Sequence, residues 1–275
     1  MTVAQFRARS HTSWIQSVLS DTTRLQAGET MMAQAAKSGM LAKFVLFVGL
    51  IALAALPVGA LGHRFGLLDL AIGSALVFSG IVLATIVLVL GVATLIFVYT
   101  RRRRADRMPA LIGLAASVVV LVVTAPYYVA LSLPMTNDVT TDRDDPPVFE
   151  QVAAESAPGA NLLDYTETEA QVQAEGYPDL VGVRESGGAD VSFGKAVDVA
   201  RALGWDVVSE NAGTGLIEAT ATTFWFGFQD DVAIRVRRED NETVVDLRSA
   251  SRVGLHDLGA NAERIRAFVE LWNDS

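Results

Sequence analysis

Five polar residues near the C-terminus have the types and spacing of an anion-binding site. They are Arg248, Arg252, Asp257, Asn261 and Arg264, and they fall where a strand is predicted to end and a helix to begin. Guanidinium groups offer planar sets of N–H donors, and a helix N-terminus adds unpaired backbone N–H groups. The alternative is a structural network in which Asp257 caps the helix and pairs with Arg252 or Arg264. An Arg252 guanidinium with N–H groups open to a concave surface would favour the anion site. A guanidinium whose N–H groups all bind Asp257 would favour the network.

Four aspartates, Asp138, Asp142, Asp144 and Asp145, follow the last long apolar run. Their oxygens would suit a hard cation such as Ca²⁺. They lack the Asp-x-Asp-x-Asp-Gly spacing of a calcium loop, and an acidic segment beside an apolar run is usually solvated. Asp142 alone is better placed to anchor an extended arm by accepting backbone hydrogen bonds. We therefore predict no metal site and no cofactor.

The most aromatic stretch of the C-terminal half is Phe224-Trp225-Phe226-Gly227-Phe228. These rings could fill a core beneath a helix. They could also line an apolar pocket for a lipid-like ligand or dip into a nearby membrane surface, where Trp is favoured. Trp225 and Phe226 are the candidate ligand contacts of the second interpretation.

Catalytic motifs are missing from the sequence. It contains no Gly-x-Ser-x-Gly, no His-Glu-x-x-His and no phosphate-binding loop, and the C-terminal half has one histidine, His256. A pair of catalytic carboxylates has no fixed spacing in sequence, so an enzyme remains an open alternative.

Charge divides the chain into two unlike halves. Residues 1–135 carry 11 Lys+Arg and 4 Asp+Glu, whereas residues 136–275 carry 11 and 27, a net charge of −16. No basic patch lies outside the apolar half, which argues against nucleic-acid binding. The chain has no Cys, so it has neither disulfides nor thiolate metal ligands.

Three apolar runs predict membrane spans at about 43–62, 68–99 and 109–133. Arg101-Arg102-Arg103-Arg104, between the second and third runs, predicts a cytoplasmic loop by the positive-inside rule. Residues 1–40 then form a cytoplasmic segment with an amphipathic helix near Trp14 to Leu25, 41–134 the transmembrane region, and 135–275 a periplasmic domain of a bacterial inner-membrane protein. Asp69 fits the start of the second span near the membrane surface rather than its centre.

Small residues recur four apart at Gly80/Ala84 and Gly113/Ser117. This spacing lets helices approach closely. It indicates packing among the three helices of one chain or between the chains of a homodimer.

The C-terminal domain has the pattern of an α+β fold with a four-stranded antiparallel sheet covered by helices. Thr166 and Glu169 form a capping box for a helix that Gly176 closes. Strands are predicted at 205–210, 216–222, 232–238 and 243–249, and helices at 192–203 and 260–272. A hairpin turning at Asp240-Asn241 pairs Val236 with Val245, Ile234 with Leu247 and Arg235 with Asp246.

The C-terminal domain contains a series of short motifs in a recognisable order: Thr141-Asp142, Pro146-Pro147, Phe149, Tyr177-Pro178-Asp179, Gly204-Trp205, Asp230-Asp231-Val232, Ser251-Arg252-Val253-Gly254, Asp257-Leu258-Gly259, Asn261 and Arg264-Ile265. On these residues the domain resembles, over about residues 137–271, a family catalogued as domain of unknown function 1499. The resemblance implies no established activity, and an exported, membrane-tethered arrangement is similar to that of the bacterial members.

The resulting hypothesis is a membrane-anchored, non-enzymatic binding or scaffolding module in the cell envelope. Its expected partners are the lipid bilayer, a lipid-like or anionic ligand, and a membrane protein or a second copy of the chain. The alternative is a periplasmic enzyme or metal-dependent module that uses Asp142 and nearby carboxylates.

Overall fold

The computed structural model describes Gln26 and residues 39–155, 160–161 and 164–275. The amphipathic helix predicted near Trp14 to Leu25 lies outside this range. The described residues form two compact units: the first comprises those up to residue 58 together with 74–123, and the second comprises those within 59–73 and 124–275. The second unit therefore contains short parts of the apolar helices in addition to the C-terminal domain.

Within the described residues, three helices are long and apolar enough to cross a membrane: α1 (Gly39–Arg64), α2 (Leu70–Thr100) and α3 (Arg104–Ala130), with mean hydropathies of 2.6, 3.0 and 2.4 in their most apolar windows. α3 begins five residues before the predicted start at 109. The added turn is polar and the Arg103 and Asp106 side chains pair at 3.4 Å beside it, so its residues carried no hydrophobic signal.

Glycines allow close helix contact in the first unit. A Cβ at Gly113 would lie 2.3 Å from the Val45 carbonyl oxygen, and one at Gly80 would lie 2.9 Å from the Ala52 carbonyl oxygen. Because backbone atoms cannot yield at such distances, larger residues would separate the helices. The predicted small-residue positions thus face helices of the same chain.

Asp69 ends the loop before α2. Its Oδ1 accepts a hydrogen bond from the backbone N–H of Ile72 at 2.8 Å, the geometry of an N-cap. Asp69 therefore lies at the helix end, as expected from its position in the sequence.

The C-terminal domain contains a six-stranded antiparallel sheet, so the prediction of four strands is wrong. The strands are β1 (Asp138–Thr140), β2 (Val183–Glu185), β3 (Asp206–Asn211), β4 (Leu216–Thr222), β5 (Gln229–Glu239) and β6 (Glu242–Ser251). The order is β1-β6-β5-β4-β3, and β2 also pairs with β6. β1 and β2 have three residues each, too few to show a period of two.

The predicted β5–β6 hairpin is confirmed. Val236 pairs with Val245, Ile234 with Leu247 and Arg235 with Asp246. The turn residue Asp240 has a φ of 52°, a left-handed conformation that aspartate tolerates.

Four helices accompany the sheet: α4 (Gln151–Glu155), α5 (Glu167–Gly176), α6 (Ala189–Ala202) and α7 (Ala260–Asp274). The Thr166/Glu169 capping box of α5 is present. α6 and α7 cover one face of the sheet, where the core includes Trp205, Phe268 and Trp272. The arm from Thr141 through α4 lies over the opposite, charged face, as its hydrogen bonds to that face show.

Candidate functional site

The five polar residues proposed as one site lie on two faces of the sheet. Successive side chains of β6 point to opposite faces. Ser249 contacts Asn261 on the α7 side, whereas Arg248 binds Asp138 and Arg252 binds Asp231 on the other side. The sheet therefore separates Arg248 and Arg252 from the three predicted residues of α7 and its preceding turn.

On the α7 face, Arg264 and Asn261 form a closed network. Arg264 pairs with Asp230 at 2.5 Å and donates to the Ser249 hydroxyl at 2.9 Å. The Asn261 amide donates to the Asn137 carbonyl at 2.9 Å. These bonds leave the guanidinium committed to groups of the protein.

The N-cap residue of α7 is Gly259, whereas Asp257, the predicted cap, lies two residues earlier and pairs with no arginine among the described residues. Its carboxylate accepts from the backbone N–H groups of Gly259 and Asn261, both at 2.8 Å. Burial raises the pKa of Asp257, and these two hydrogen bonds oppose the increase. The predicted ion pair with Arg252 or Arg264 is wrong, because each of those side chains binds an aspartate of β5 instead.

Arg252 has no free face for an anion. Nε and Nη2 donate to the fully buried Asp231 at 3.0 and 2.7 Å, Nη1 donates to Gln229 at 3.1 Å, and Nη2 also donates to Thr220 at 3.1 Å. All three guanidinium nitrogens are therefore engaged. This geometry favours the structural network, with Asp231 in the role predicted for Asp257.

Arg248 and Asp138 form a buried ion pair. Nη2 and Nε of Arg248 bind the two carboxylate oxygens at 2.6 and 3.0 Å, and the guanidinium carbon lies 4.8 Å from the ring centre of Phe149 and 5.5 Å from that of Tyr165. Burial raises the pKa of Asp138 to about 6, although Arg248 acts to lower it. The desolvation cost thus outweighs the pairing at this site.

Asp142 anchors the arm to the charged face. Its Oδ2 accepts from Arg235 at 3.1 Å and from Arg237 at 3.3 Å, and its Oδ1 accepts from the backbone N–H of Asp145 at 3.0 Å. Both carboxylate oxygens are therefore committed to the protein. Within the described residues, no group of three or more His, Asp or Glu side chains is arranged to hold a metal ion.

Glu218 is an anchor that the sequence did not reveal. Its fully buried carboxylate accepts backbone N–H groups at the start of α4, including those of Glu150 at 2.8 Å and Gln151 at 2.9 Å. Glu218 was predicted only as a strand residue, because nothing in its neighbourhood along the chain indicates the arm that it binds.

The aromatic stretch forms one wall of a cavity of about 750 Å³. Phe226 and Phe228 stack with their ring centres 5.2 Å apart. Phe224 and Trp225 are 70% and 45% exposed, so they do not fill the core of the domain. Gly227 has a φ of 71°, a conformation that lets the chain reverse between the two stacked rings.

The remaining walls come from distant parts of the second unit. Leu70 of α2 and three residues of the last turns of α3 line the apolar side, and strand ends and the turn before α7 line the polar side. The described lining residues are Leu70, Pro126, Tyr127, Ala130, Thr223, Phe224, Trp225, Phe226, Phe228, Asp230, Ser251, Val253, Gly254, His256, Asp257, Leu258 and Ala260. The cavity thus brings together Trp225, Phe226 and Asp257 of the predicted site residues, but not Arg248, Arg252, Asn261, Arg264 or Asp142.

The end of α1 holds the aromatic wall in place. Arg64 donates to the carbonyl oxygen of Thr223 at 3.0 Å and to that of Phe224, and its guanidinium lies 5.4 Å from the Phe224 ring centre. The His63 ring lies 5.9 Å from that of Phe228. No feature of the sequence predicted these contacts, because the Arg64 partners lie about 160 residues away.

Two buried polar atoms lack a hydrogen-bond partner among the described residues near this region. They are Nε2 of His256, which lines the cavity, and the hydroxyl of Tyr177, which does not. Burial also raises the pKa of Tyr177. Such unsatisfied groups are uncommon in folded proteins.

Comparison with known families assigns the domain. Residues 138–271, from β1 to within α7, match the family described as Protein of unknown function (DUF1499), which confirms the resemblance found in the sequence. Most of the cavity wall belongs to this region, whereas His63, Arg64, Leu70 and the α3 residues lie N-terminal to it. No curated protein matches the chain.

Proposed function

We propose that this protein, a DUF1499 domain joined to three apolar helices, is a membrane-anchored module that binds the apolar part of a lipid-like ligand. The observation that carries the proposal is the cavity, in which the aromatic stretch faces the ends of α2 and α3. Residues of helices suited to a bilayer and residues of the sheet domain thus contribute to one apolar site.

The order of charges along the chain supports a periplasmic location for this site. Arg101 to Arg104 separate α2 from α3, and four adjacent arginines favour the cytoplasmic side of a bacterial inner membrane. Leu70 and Ala130 are at the opposite ends of these helices. In this orientation the cavity lies at the periplasmic surface of the bilayer, where a lipid chain can enter it.

The size and lining of the cavity suit one small amphiphile. Its volume lies within the range of about 300–1,000 Å³ found for small-molecule sites. Its aromatic rings and aliphatic side chains favour an apolar chain, and its polar lining residues include Asp230, Ser251 and His256. Apolar burial supplies the affinity, and the polar residues can orient the ligand.

The alternative of an enzyme or metal-dependent module that uses Asp142 gains no support. Such chemistry needs a carboxylate with a free oxygen facing a cleft. Asp142 is bound by two arginines and a backbone N–H, and it does not line the cavity.

Native mass spectrometry of the full-length protein in mild detergent tests the proposal. We expect a reproducible added mass in the range of a lipid, which solvent extraction and fragmentation would then identify. Ala130→Trp places a large ring in the cavity and should remove most of this mass. Val129→Trp, at an exposed neighbouring position that does not line the cavity, is the matched control. Absence of any bound mass, or equal retention by both variants, would contradict the proposal.

A further inference from the structure

The loop between β4 and β5 presents large aromatic side chains at the surface. Phe224 and Trp225 are exposed, and their rings meet nearly at right angles with centres 5.3 Å apart. The turn between α1 and α2 is similar, because Phe65 and Leu67 on it are 69% and 78% exposed. Exposed apolar side chains that are grouped together often mark a site of contact with a membrane or with another protein.

Contacts with the end of α1 join these two segments. Arg64, the last residue of α1, donates through Nη1 to the carbonyl oxygens of Thr223 and Phe224, and its guanidinium carbon lies 5.4 Å from the Phe224 ring centre. The ring centres of His63 and Phe226 are 6.2 Å apart. The β4–β5 loop is therefore held at the point where the apolar helix α1 ends.

The charge of Arg64 is not neutralised by an acidic side chain among the described residues. The side chain is exposed, and both of its hydrogen bonds go to uncharged carbonyl oxygens. By contrast, Arg248, Arg252 and Arg264 each pair with an aspartate. An exposed guanidinium without a counter-ion can donate to the oxygens of a phosphate group.

A lipid bilayer is the partner that these features fit. α1 and α2 have the length and hydropathy of membrane spans, and only residues 65–69 separate them. A bilayer around these helices therefore has one of its head-group layers at this turn. Tryptophan is enriched in that layer, and arginine side chains near the ends of membrane spans extend into it. Charge complementarity favours the same partner, because the phosphate groups of phospholipids are anionic.

The interfacial surface consists of Arg64, Phe65, Leu67, Phe224 and Trp225. We propose that this surface lies in the head-group layer of the bilayer and that Arg64 binds the phosphate of an anionic phospholipid. The proposal rests on the membrane anchoring in the proposed function and adds a second attachment, made by the sheet domain itself. Phe224 and Trp225 also line the cavity, so the interfacial surface borders it.

The absence of cysteine from the chain allows a single nitroxide label to report depth in the bilayer. Full-length Trp225→Cys protein is labelled and reconstituted in vesicles of equal parts phosphatidylcholine and phosphatidylglycerol. Electron paramagnetic resonance then measures the exposure of the label to oxygen and to a water-soluble nickel complex. Val89→Cys, at an exposed position within α2, is the reference for hydrocarbon, and Asn241→Cys, at the opposite end of β5, is the reference for water.

We expect the label at position 225 to lie at the depth of the head groups, between the two references. It should lose most of the nickel exposure that the label at position 241 shows. Ala130→Trp fills the cavity and should leave this depth unchanged. Nickel exposure equal to that at position 241, or a depth that changes with Ala130→Trp, would overturn the proposal, since the second result places the label in the cavity.

Native mass spectrometry of protein extracted from the same vesicles tests the phosphate contact. All variants carry Ala130→Trp, so that lipid in the cavity does not enter the count. Arg64→Gln keeps an N–H donor for the loop carbonyls but loses the charge, and it should retain one phosphatidylglycerol fewer than its parent. Arg64→Lys keeps the charge and should retain that lipid.

Arg143→Gln is the matched control, because Arg143 is an exposed arginine of the arm between β1 and α4. It should retain as much phosphatidylglycerol as the parent. Unchanged retention by Arg64→Gln, or an equal loss from Arg143→Gln, would overturn the phosphate contact of Arg64.

The reference labels distinguish failure of this proposal from failure of the function on which it rests. If the label at position 89 is as exposed to nickel as the label at position 241, the membrane anchoring is overturned together with the interfacial surface. If the label at position 89 lies in hydrocarbon and the label at position 225 lies in water, only the interfacial surface is overturned.

Discussion

Replacing Arg248 by methionine should leave a buried carboxylate without its counter-ion. Arg248 and Asp138 are each only 4% exposed, and the guanidinium makes two hydrogen bonds to the carboxylate. Loss of one partner of such a pair costs about 3 to 5 kcal/mol. Methionine retains much of the apolar volume between Phe149 and Tyr165, so the effect should arise mainly from the charge.

The stability loss caused by Arg248→Met should depend on pH in a definite direction. Arg248 lowers the pKa of Asp138, which burial nevertheless holds at about 6, so Arg248→Met should raise it further. The folded variant would then bind a proton more tightly than the unfolded chain, in which an aspartate has a pKa of about 3.9. The wild type shares the loss of stability between the unfolded pKa and about 6, so the deficit of the variant relative to the wild type should be largest above the raised pKa of Asp138, shrink as the pH falls to about 6, and stay constant below that pH.

Thermal unfolding of the full-length protein in mild detergent measures the effect, with the buried Trp205 and Trp272 as fluorescent reporters. Arg248→Met should lower the midpoint by roughly 10 to 20 °C at pH 7. The double variant Arg248→Met with Asp138→Asn removes both charges and should recover most of the loss. Equal midpoints for the single and double variants at pH 7, or a difference that does not change with pH, would refute the assignment of the cost to a buried charge.

Two further predictions concern local backbone geometry and use the same unfolding measurement. Gly215→Ala should destabilise the domain by about 2 kcal/mol or more, because Gly215 has a φ of 71° and an added Cβ would lie 2.1 Å from the Val236 carbonyl oxygen. Gly194→Ala is the control: Gly194 lies in the middle of α6 with open space around it, so this change should stabilise the domain by about 0.5–1 kcal/mol. Similar effects of the two substitutions on stability would contradict the reasoning. Thr166→Ala removes one half of the α5 capping box and should cost about 1 kcal/mol, which a midpoint unchanged from the wild type would disprove.

The sequence predicted those parts of the fold whose signal is local or repeated. The β5–β6 register followed from alternation on both faces of two long strands, where a slip of one residue would turn Arg235 and Asp246 toward the apolar core. β1 and β2 escaped prediction because three residues cannot display a period. The same limit applies to α4, which has only five residues.

Partners across the sheet were harder to predict than the elements themselves. Asp257 was the acid nearest to Arg252 along the chain, but the alternation of β6 directs Arg252 to the opposite face, where it meets Asp231. Only the aromatic wall of the cavity could be recognised in the sequence. Its other walls come from Leu70 and Tyr127, which are distant in sequence and carried no signal besides hydrophobicity.

During synthesis, β1 cannot pair with β6 until the ribosome has made β6. Asp138 pairs with Ala250, so roughly 110 residues must be made after β1 before its partner exists. At about 5–20 residues per second, this delay is on the order of 5 to 20 s. During that interval β1 is an unpaired strand that follows the third apolar helix. Its brevity and the charge of Asp138 are properties that keep such a strand from pairing with another chain before β6 arrives.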